Sequence, residues 1–492
     1  MWQRTGPLLK ESLRSNASEL PNELWLQILR YISREQSYKL IGINRFFLEV
    51  GMNVRWGEVV IDTEYIADAM HLLRRMRWVR ILKLLFFPQC FNRDPFVATR
   101  VKTVLLCLGN FTAGKRQIRE PKGLNLNTLA HYFRSKLKPT HTFDDAVSSL
   151  ISTLPQLSNV RELGVELWHV PSDVVTPLFQ SICVSFGRNL DRLAISGYLD
   201  AYRVLVEACE LLPKFEKLKT LHVELVSRPS RDGLGGGDRA ILVDSVAPFV
   251  RRLAPILETL SVWGWGVWSL GVRSWASVDF SGFYDVLAVT DFPALKKLYI
   301  RMAFDQTLGQ PESLKLFLLG CGTSLEDLEL WLNIDPVQLD PSTEESLGTW
   351  LINFAQDEAE FFGENFTFPK LRKLDLYPSN TEAGLQALVS IIHGTVPTLV
   401  DLTIRDRYFP PNQAMVIVNT IAGYHLKQLR MNIVYLDVEL LDLLVQKLPC
   451  LKKLWLSVSE VVGSDGVSTF PPFSKYFISH VRPPHRILFT NF

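Results

Sequence analysis

The stretch Leu371-Arg372-Lys373-Leu374-Asp375-Leu376 carries a pattern, apolar-x-x-apolar-x-apolar, that returns many times along the chain. We call each copy a repeat tag. From Val160 onward, successive tags are separated by steps of 25 (Leu426 to Leu451) to 46 residues (Leu325 to Leu371). Self-similarity at such a period is typical of repeat proteins and predicts a solenoid. The tags begin at Val79, Val160, Leu190, Leu218, Leu257, Leu295, Leu325, Leu371, Leu399, Leu426 and Leu451.

The residues between the tags predict the repeating unit. The last two apolar residues of a tag alternate with polar ones, which places them on one face of a short strand. Between tags the apolar residues follow helical spacing and end at a proline, as in the stripe before Pro397 formed by Leu385, Leu388, Ile391 and Ile392. One such unit cannot bury its apolar faces alone. Stacked units therefore form a parallel sheet on one side and a row of helices on the other.

The tag and its spacing resemble leucine-rich repeats. This resemblance implies an α/β solenoid with its parallel sheet on the concave face and its helices on the convex face. We expect the array to occupy residues 57–458, with insertions near 108–140, 228–240 and 335–366. The segment 459–492, which breaks the pattern with glycines and prolines, is predicted to be a terminal cap or tail.

Composition places the chain among globular proteins. Its 492 residues are 47% hydrophobic and 21% charged, and the net charge is +2, so bulk charge favours neither a nucleic acid nor a membrane partner. The six cysteines show no C-x-x-C spacing, and no apolar run reaches the length of a membrane span. We therefore expect a cytoplasmic and/or nuclear protein. The polar residues 1–19 are predicted to be a mobile leader.

A short helical motif is predicted ahead of the repeats, over residues 20–56. Leu20-Pro21-Asn22-Glu23-Leu24 opens a helix with a proline and an acid where a first turn accepts them. Leu24, Ile28 and Ile32 then recur every four residues and form an apolar stripe. A second amphipathic segment, 38–50, places on one side Leu40, Ile43, Phe46 and Phe47.

These residues resemble the F-box, the helical motif that docks onto the Skp adaptor of cullin-based ubiquitin ligases. The resemblance runs through Leu20-Pro21-x-Glu23-Leu24, Ile28-Leu29-x-Tyr31-Ile32 and Ile43-Asn44-Arg45-Phe46-Phe47 to Trp56. It implies a set of adaptor-binding residues, which are Leu20, Pro21, Leu24, Ile28, Leu29, Ile32, Leu40 and Ile43. The other interpretation is a helical cap that covers the open end of the solenoid.

The strands predict a second binding surface. If the tag leucines point inward, the residues between and after them line the concave sheet face, which is rich in Trp, Tyr and Arg. These residue types dominate the energetic centres of protein interfaces. The alternative is that these aromatic residues have no binding role, because strands tolerate aromatic residues on any face. The predicted target-binding residues are Trp263, Tyr299, Arg301, Trp331, Tyr377, Arg405, Arg430 and Trp455.

The charged insertions leave two interpretations open. Residues 114–138 hold seven basic residues against the single acid Glu120, while 335–364 hold eight acids and no Lys or Arg. The basic insertion is either a docking loop for an acidic partner or a solvated edge of the array.

The sequence lacks catalytic and ligand motifs such as H-E-x-x-H, G-x-S-x-G and clustered Cys/His ligands. We therefore expect no enzyme, no cofactor and no metal. Our hypothesis is a substrate-recognition subunit of a Skp-cullin-F-box ubiquitin ligase. Its partners would be a Skp-type adaptor, through it a cullin, and an unidentified target protein, with no nucleic acid and no membrane. The alternative is a ligase-independent scaffold whose N-terminal helices only cap the solenoid.

Overall fold

The computed structural model describes most of the predicted array, in two compact units. The leader 1–19, the tag at Val79 and the basic part of the first insertion lie outside the described residues, and so do Leu20, Pro21 and Ile43. The described residues are 22–32, 36, 40, 45–56, 58–62, 98–108, 143–168, 170, 172–210, 215–227, 236–265, 279–304, 310–332, 341–361, 368–395, 397–461 and 486–490.

The first unit contains the N-terminal helices and three parallel strands. Strands β1 (Glu58–Asp62), β2 (Thr103–Cys107) and β3 (Glu162–Leu167) pair in sequence order. The tags did not predict β2, although Val101, Val104 and Leu106 fit the pattern and are each 0% exposed. The helices of this unit are α1 (Asn22–Arg30), α2 (Arg45–Trp56), α3 (Phe143–Thr153) and α4 (Ser172–Phe186).

The helix α2 is tied to the loop before β2. Arg100 is 9% exposed, and its Nη1 donates to Asn53 Oδ1 (2.6 Å) and to the carbonyl of Glu49 (3.1 Å). Its Nη2 also donates to Glu49 Oε2 at 2.7 Å. A buried guanidinium needs such charged and carbonyl acceptors, since an unpaired buried charge is costly. The second N-terminal helix is therefore held to the loop before β2 by the hydrogen bonds of Arg100.

The second unit holds nine parallel strands that again follow sequence order. A tenth strand pairs antiparallel with β12 at the edge of this sheet, within the segment predicted as a cap or tail. With the three strands of the first unit, the described residues contain twelve parallel strands. The strands are β4 (Arg192–Tyr198), β5 (Thr220–Val226), β6 (Thr259–Trp265), β7 (Lys297–Arg301), β8 (Asp327–Trp331), β9 (Lys373–Leu376), β10 (Asp401–Phe409), β11 (Gln428–Leu436), β12 (Lys453–Val461) and β13 (Arg486–Thr490).

Helices alternate with these strands, as the period predicts. A π-helical turn, Leu242–Val246, joins the two helices that follow β5. The helices are α5 (Leu199–Glu210), α6 (Gly236–Ile241), α7 (Ala247–Leu253), α8 (Ser281–Ala288), α9 (Gln310–Cys321), α10 (Pro341–Phe361), α11 (Glu382–Thr395), α12 (Pro411–Thr420) and α13 (Val438–Lys447). Among the described helices, none combines the length and the apolar content that a membrane span needs.

The core lies between the sheet and the helices. The first apolar residue of every tag from Val160 to Leu426 is at most 3% exposed, and so are the inward residues of the strands, such as Leu298 and Ile300. Each buried Leu or Ile contributes about 1.5–3 kcal/mol of hydrophobic stabilisation. On the helix side, Tyr284 stacks on Phe317 with ring centroids 5.7 Å apart.

The predicted insertion at 335–366 is built mainly from one long helix. The helix α10 spans 21 residues and packs against α11. Its apolar residues reach inward: Trp350 stacks on Phe354 at 5.6 Å with an interplanar angle of 9°. The acidic stretch is therefore, over residues 341–361, an enlarged repeat helix rather than a loop.

A shared register at the strand starts sets up the surface on the other face of the sheet, although β10 shifts its register against β11 between Thr403 and Tyr408. Each strand starts opposite the start of its neighbour, so Asp327 pairs with Lys373 and Glu329 with Asp375. The amide of Lys373 donates to the carbonyl of Glu326 at 3.0 Å, and the same link recurs at the other strand starts. Outward side chains of successive strands therefore line up in rows across the sheet.

Candidate functional site

Four side chains from neighbouring strands stack into a ladder on the outward face of the second unit. The guanidinium of Arg301 on β7 lies between two indoles, with its Cζ 4.3 Å from the ring centroid of Trp263 and 4.9 Å from that of Trp331. Arg405 on β10 reaches the same Trp331 ring at 5.4 Å. These distances fall in the range of cation–π attraction. We call Trp263, Arg301, Trp331 and Arg405 the Trp-Arg ladder.

Two acids from the adjacent row neutralise the two arginines of the ladder. Arg301 Nε donates to Glu329 Oε1. Arg405 holds Asp375 with two parallel bonds, Nε to Oδ1 at 2.6 Å and Nη2 to Oδ2 at 2.5 Å. Its Nη2 also lies 4.0 Å from Glu329 Oε2. Paired, charge-assisted bonds of this kind fix the orientation of planar guanidinium groups. The ladder is thus held rigidly, and its two positive charges are balanced by those of Glu329 and Asp375.

The carboxyl of Asp375 is unusual because it is both paired and deeply buried. Its side chain is 5% exposed, against 25% for Arg405. Burial raises the pKa of Asp375 above its ordinary value, and the nearby Glu329 adds to this. The bonds from Arg405 lower the pKa, but by less. The bonds from Arg405 therefore offset part of the free-energy cost of burying the ionised carboxylate.

A histidine extends the ladder on the β5 side. The ring of His222 meets Trp263 edge to face at 4.6 Å, and its Nδ1 lies 2.8 Å from Ser261 Oγ. Burial, and secondarily the charge of Arg301, lowers the pKa of His222 to about 4. This imidazole is therefore neutral near pH 7 and contributes a flat surface with one hydrogen bond rather than a charge.

A second polar cluster lies one row nearer the start of the strands. The hydroxyl of Tyr299 donates to Asp327 Oδ2 at 2.9 Å, and Lys373 Nζ lies 3.5 Å from the same oxygen. Burial and the charge of Asp327 raise the pKa of Tyr299. The phenol is therefore a fixed donor. Within the described residues no group of three or more His, Cys, Asp or Glu side chains is placed to hold a metal ion.

The structure brings together five of the predicted target-binding residues, namely the Trp-Arg ladder and Tyr299. Arg430 and Trp455 lie further along the sheet, opposite each other on β11 and β12. Lys453 extends over the Trp455 ring, with Nζ 5.9 Å from the centroid.

Tyr377 does not lie on the exposed face, so the prediction for this residue is wrong. It is 1% exposed, and its hydroxyl donates to Glu344 Oε1 at 2.9 Å. The reason is that β9 ends one residue earlier, at Leu376, and that α10 places the buried carboxylate of Glu344 over the phenol. The amide of Asn380 also donates to Glu344, at 2.8 Å.

The predicted adaptor-binding residues are partly described. Leu24 and Ile28 on α1 are 43% and 40% exposed, although α1 packs on α2 through Trp25 and Phe47, whose rings are 4.9 Å apart. The three remaining described positions, Leu29, Ile32 and Leu40, are half-buried. The helix α1 therefore leaves an apolar pair, one turn apart, open to solvent.

The two acids that bind the arginines of the ladder, Glu329 and Asp375, are not among the predicted target-binding residues, although the strand pattern places both on the same sheet face. Both occupy the outward position between the last two tag leucines, where an acid alone looks like an ordinary solvated residue. The signal that identifies them is the strand register, which pairs Glu329 with Asp375 and brings Arg301 and Arg405 within reach.

The comparisons with known proteins add little to this geometry. No protein-family model matches the sequence, and no curated protein matches it. Among solved structures, the chain is similar to one titled "Crystal structure of TLR13-ssRNA13 complex", with a TM-score of 0.21 and 11% identity. The match covers 76% of this chain and 57% of that chain, so the chain spans little more than half of that structure's length. A similarity this low carries no argument. The α/β assignment rests on the repeated parallel strands and helices themselves.

Proposed function

We propose that the chain is a protein-interaction scaffold that binds a target protein on the strand face of its second unit, at the Trp-Arg ladder. The observation that carries this proposal is the Arg301 guanidinium held between two indoles and bonded to Glu329. Trp and Arg dominate interface hot spots because they offer large, rigid contact area. A surface that is already ordered loses little conformational entropy when a partner binds.

Charge favours a protein partner over a polyanion at the ladder. Both arginines are neutralised by neighbouring acids, so they attract phosphate groups weakly. Affinity for nucleic acid, by contrast, depends mainly on unneutralised basic residues. The ladder also crosses five strands, β6 to β10, and therefore presents an extended row of side chains. Such a surface suits a protein interface with an aromatic centre and a polar rim.

Quantitative affinity capture tests this proposal. Capture by the full chain would be compared with capture by Arg301→Met/Glu329→Gln, which removes both charges together and so leaves no buried ion unpaired. Val445→Ala, at a 77% exposed position on α13, is the matched control. We expect a partner whose recovery falls at least about tenfold with the ladder variant and is unchanged with the control, the loss typical of a hot spot. Equal recovery of every protein by the ladder variant and the intact chain would contradict the proposal.

We infer further that the scaffold is the substrate-recognition subunit of a Skp-cullin-F-box ubiquitin ligase. The support is the F-box resemblance together with the exposed pair Leu24 and Ile28, since an apolar pair on a short helix is the usual anchor for a partner groove. The mechanism would be proximity. The N-terminal helices would bind a Skp-type adaptor, and the ladder would hold the target at high effective concentration near the ubiquitin donor.

The alternative is a ligase-independent scaffold in which the N-terminal helices cap the array. The buried residues of α2, Phe47 and Met52, and the contacts of Arg100 with Glu49 favour this interpretation for α2. They do not explain the exposure of α1.

Co-purification with a Skp-type adaptor separates the two. We expect the full chain to retain the adaptor and Leu24→Ala/Ile28→Ala to lose it. Leu48→Ala, at a 40% exposed position on α2, should retain it. A folded full chain that binds no adaptor, or a double variant that binds as well as the intact chain, would favour the cap and leave the ladder proposal standing.

A further inference from the structure

Charges at the start of the strands in the second unit alternate in sign from one strand to the next. Lys219 before β5 pairs with Glu258 before β6 at 2.7 Å, and Lys373 on β9 lies 3.5 Å from Asp327 on β8. Opposite charges on neighbouring strands stabilise a sheet, whereas like charges directly opposite each other repel. From β5 to β10 the alternating set is Lys219, Glu258, Lys296 and Lys297, Glu326 and Asp327, Arg372 and Lys373, then Asp401.

The alternation fails at the last two parallel strands. Lys427 precedes β11, and the next strand start carries Lys452 and Lys453, so two neighbouring strands both begin with cations. The amides of Lys452 and Lys453 donate to the carbonyl of Lys427, at 2.8 and 3.0 Å, which places the two cationic starts side by side. No acid occurs in residues 407–436 or 443–459.

The three lysines are exposed and lie beside two features, a cavity and a tryptophan. Lys427 and Lys452 line an open cavity of about 480 Å³ whose wall also includes Cys450. Lys453 points along the strand face over Trp455, and Arg430 lies opposite that tryptophan on β11. We call Lys427, Lys452 and Lys453 the terminal basic patch.

Among the acids that the structure describes, Asp401 offsets part of this charge. Asp401 on β10 is half-buried, and burial raises its pKa, while the charges of Lys373 and Lys453 lower this pKa by less. One carboxylate is thus shared with the alternating part of the sheet. Among the described residues, the patch has an excess of positive charge that its own repeat array does not balance.

We propose that the terminal basic patch binds an acidic segment of the target protein held at the Trp-Arg ladder, through clustered carboxylates or a phosphorylated side chain. The inference rests on the proposed function and deepens it. The patch lies on the same sheet as the ladder, and Trp455 continues its aromatic surface. Neighbouring strands about 4.8 Å apart bring the lysines close enough to share one anionic group, and the cavity gives that group a place to enter. Binding an anion also relieves the repulsion between the two strand starts.

A protein segment fits the patch better than a nucleic acid does. The cations cover two strands, and Trp455 is the only tryptophan between them, whereas single-stranded nucleic acid needs a longer basic track with several stacking residues. Two anionic groups from neighbouring side chains of an extended peptide match the width of the patch.

Fluorescence anisotropy with the full chain tests the proposal. The probe is a labelled peptide of six glutamates separated by glycines, with a serine-glycine peptide as the blank and a phosphoserine-glycine peptide as the second arm. Lys427→Glu/Lys452→Glu/Lys453→Glu alters the patch. Lys219→Glu/Lys296→Glu/Lys297→Glu is the matched control, since it changes the net charge equally in the alternating region.

We expect the patch variant to weaken binding of an anionic peptide about tenfold or more at low salt, because three exposed attractive charges become repulsive. The control should stay within about twofold of the intact chain. The arm that binds more tightly identifies carboxylate or phosphate as the anion. Equal losses in both variants would mean attraction to net charge alone and would overturn the proposal, as would an intact chain that binds neither anionic peptide. Inorganic phosphate that binds as tightly as both peptides would overturn the assignment to a protein segment.

Alkylation of Cys450 gives a second readout inside the cavity. This thiol is half-exposed, and its Sγ lies 3.8 Å from His425 Nδ1. Bound peptide should slow iodoacetamide labelling of Cys450, mapped by mass spectrometry, at least about twofold, and leave the labelling of Cys107 unchanged. No protection of Cys450 would place the peptide elsewhere and overturn the proposal. Because Arg301→Met/Glu329→Gln should bind the acidic peptide normally, failure at the ladder and failure at the patch are distinguishable.

Discussion

Replacing Arg405 by methionine tests whether the ladder's paired charges stabilise the strand face. The substitution removes both bonds to Asp375 and the contact with the Trp331 ring, but it keeps an apolar side chain of similar length. Asp375 is then left with a side chain that is 5% exposed and has lost its guanidinium partner. Arg301 and Lys373 cannot replace it freely, because Arg301 is bonded to Glu329 and Lys373 lies 3.5 Å from Asp327.

The cost follows from the burial of the two partners. Removing one member of a buried ion pair costs about 3–5 kcal/mol, because the remaining charge stays buried. Arg405 is a quarter exposed, so water already screens part of the pair and will partly replace the lost donor. We therefore expect a loss of about 2–3 kcal/mol in local stability near pH 7. The same change at an exposed cation, Lys453→Met, should cost less than about 0.5 kcal/mol.

The loss should depend on pH with a defined sign. The pKa of Asp375 in the folded chain already lies above its ordinary value of 3.8, so the folded state holds this proton more tightly than the unfolded state. Ionisation of such a group lowers stability as the pH rises through the folded-state pKa. Removing Arg405 raises this pKa further. The difference between the variant and the intact chain should thus be full near pH 7 and shrink as the pH falls toward 3.8.

Native-state hydrogen exchange is the appropriate assay, because it reports local opening without assuming two-state unfolding of a long array. Peptides that cover β9 and β10 should exchange faster in Arg405→Met. The increase in their exchange rate should correspond to a loss of about 2–3 kcal/mol in the free energy of local opening. Arg405→Met/Asp375→Asn should recover most of the protection, since a neutral pair leaves no buried ion. Unchanged exchange in the single variant, or a loss that does not diminish at low pH, would refute the electrostatic explanation.

Two further predictions concern the β6 edge of the ladder. A Cβ on Gly264 would lie 2.5 Å from two ring carbons of Phe280. Gly264→Ala should therefore lower the free energy of unfolding, measured by urea titration, by about 1–3 kcal/mol. Gly320→Ala is the control and should not lower it, because a Cβ there would meet no atom nearer than 3.7 Å. The pKa of His222 is lowered from 6.5 to about 4, so the unfolded chain binds its proton more readily and stability should fall as the pH drops through this window. His222→Asn, which retains a polar partner for Ser261, should reduce that loss by about 2 kcal/mol near pH 4; an unchanged pH profile would contradict this cause.

The sequence predicted the repeat architecture because the tag encodes burial directly. Every described tag from Val160 to Leu451 is followed by a strand that starts at its third residue, and the helical stripes between tags became helices. The tag that begins at Val101 was not predicted, because its continuous apolar run Val104-Leu105-Leu106 hides the alternation. The antiparallel β13 was not predictable, since a short apolar run such as Ile487-Leu488-Phe489 does not reveal its pairing partner.

The candidate site was predictable only in part, because its residues depend on contacts between distant repeats. The pattern identified Trp263, Arg301, Trp331 and Arg405 as outward residues, and the structure stacks them together. It could not reveal that Glu344, on a helix from the acidic stretch, would cover Tyr377. That contact joins residues 33 apart in sequence and depends on where α10 packs. Local alternation thus predicts which face a residue occupies, but not whether another element covers it.

The buried position of Tyr377 also explains the form of the ladder. Parallel strands in register present one outward side chain about every 4.8 Å, which is close to the stacking distance of planar groups. Trp263, Arg301 and Trp331 occupy three consecutive strands and stack at 4.3 and 4.9 Å. The next position in the row belongs to Tyr377, which turns inward after β9 ends. Arg405 extends across the space that this turn leaves, and so reaches both Trp331 and Asp375. The early end of one short strand therefore accompanies the entry of the second arginine into the ladder, where it holds the more buried of the two acids, Asp375, which is 5% exposed against 10% for Glu329.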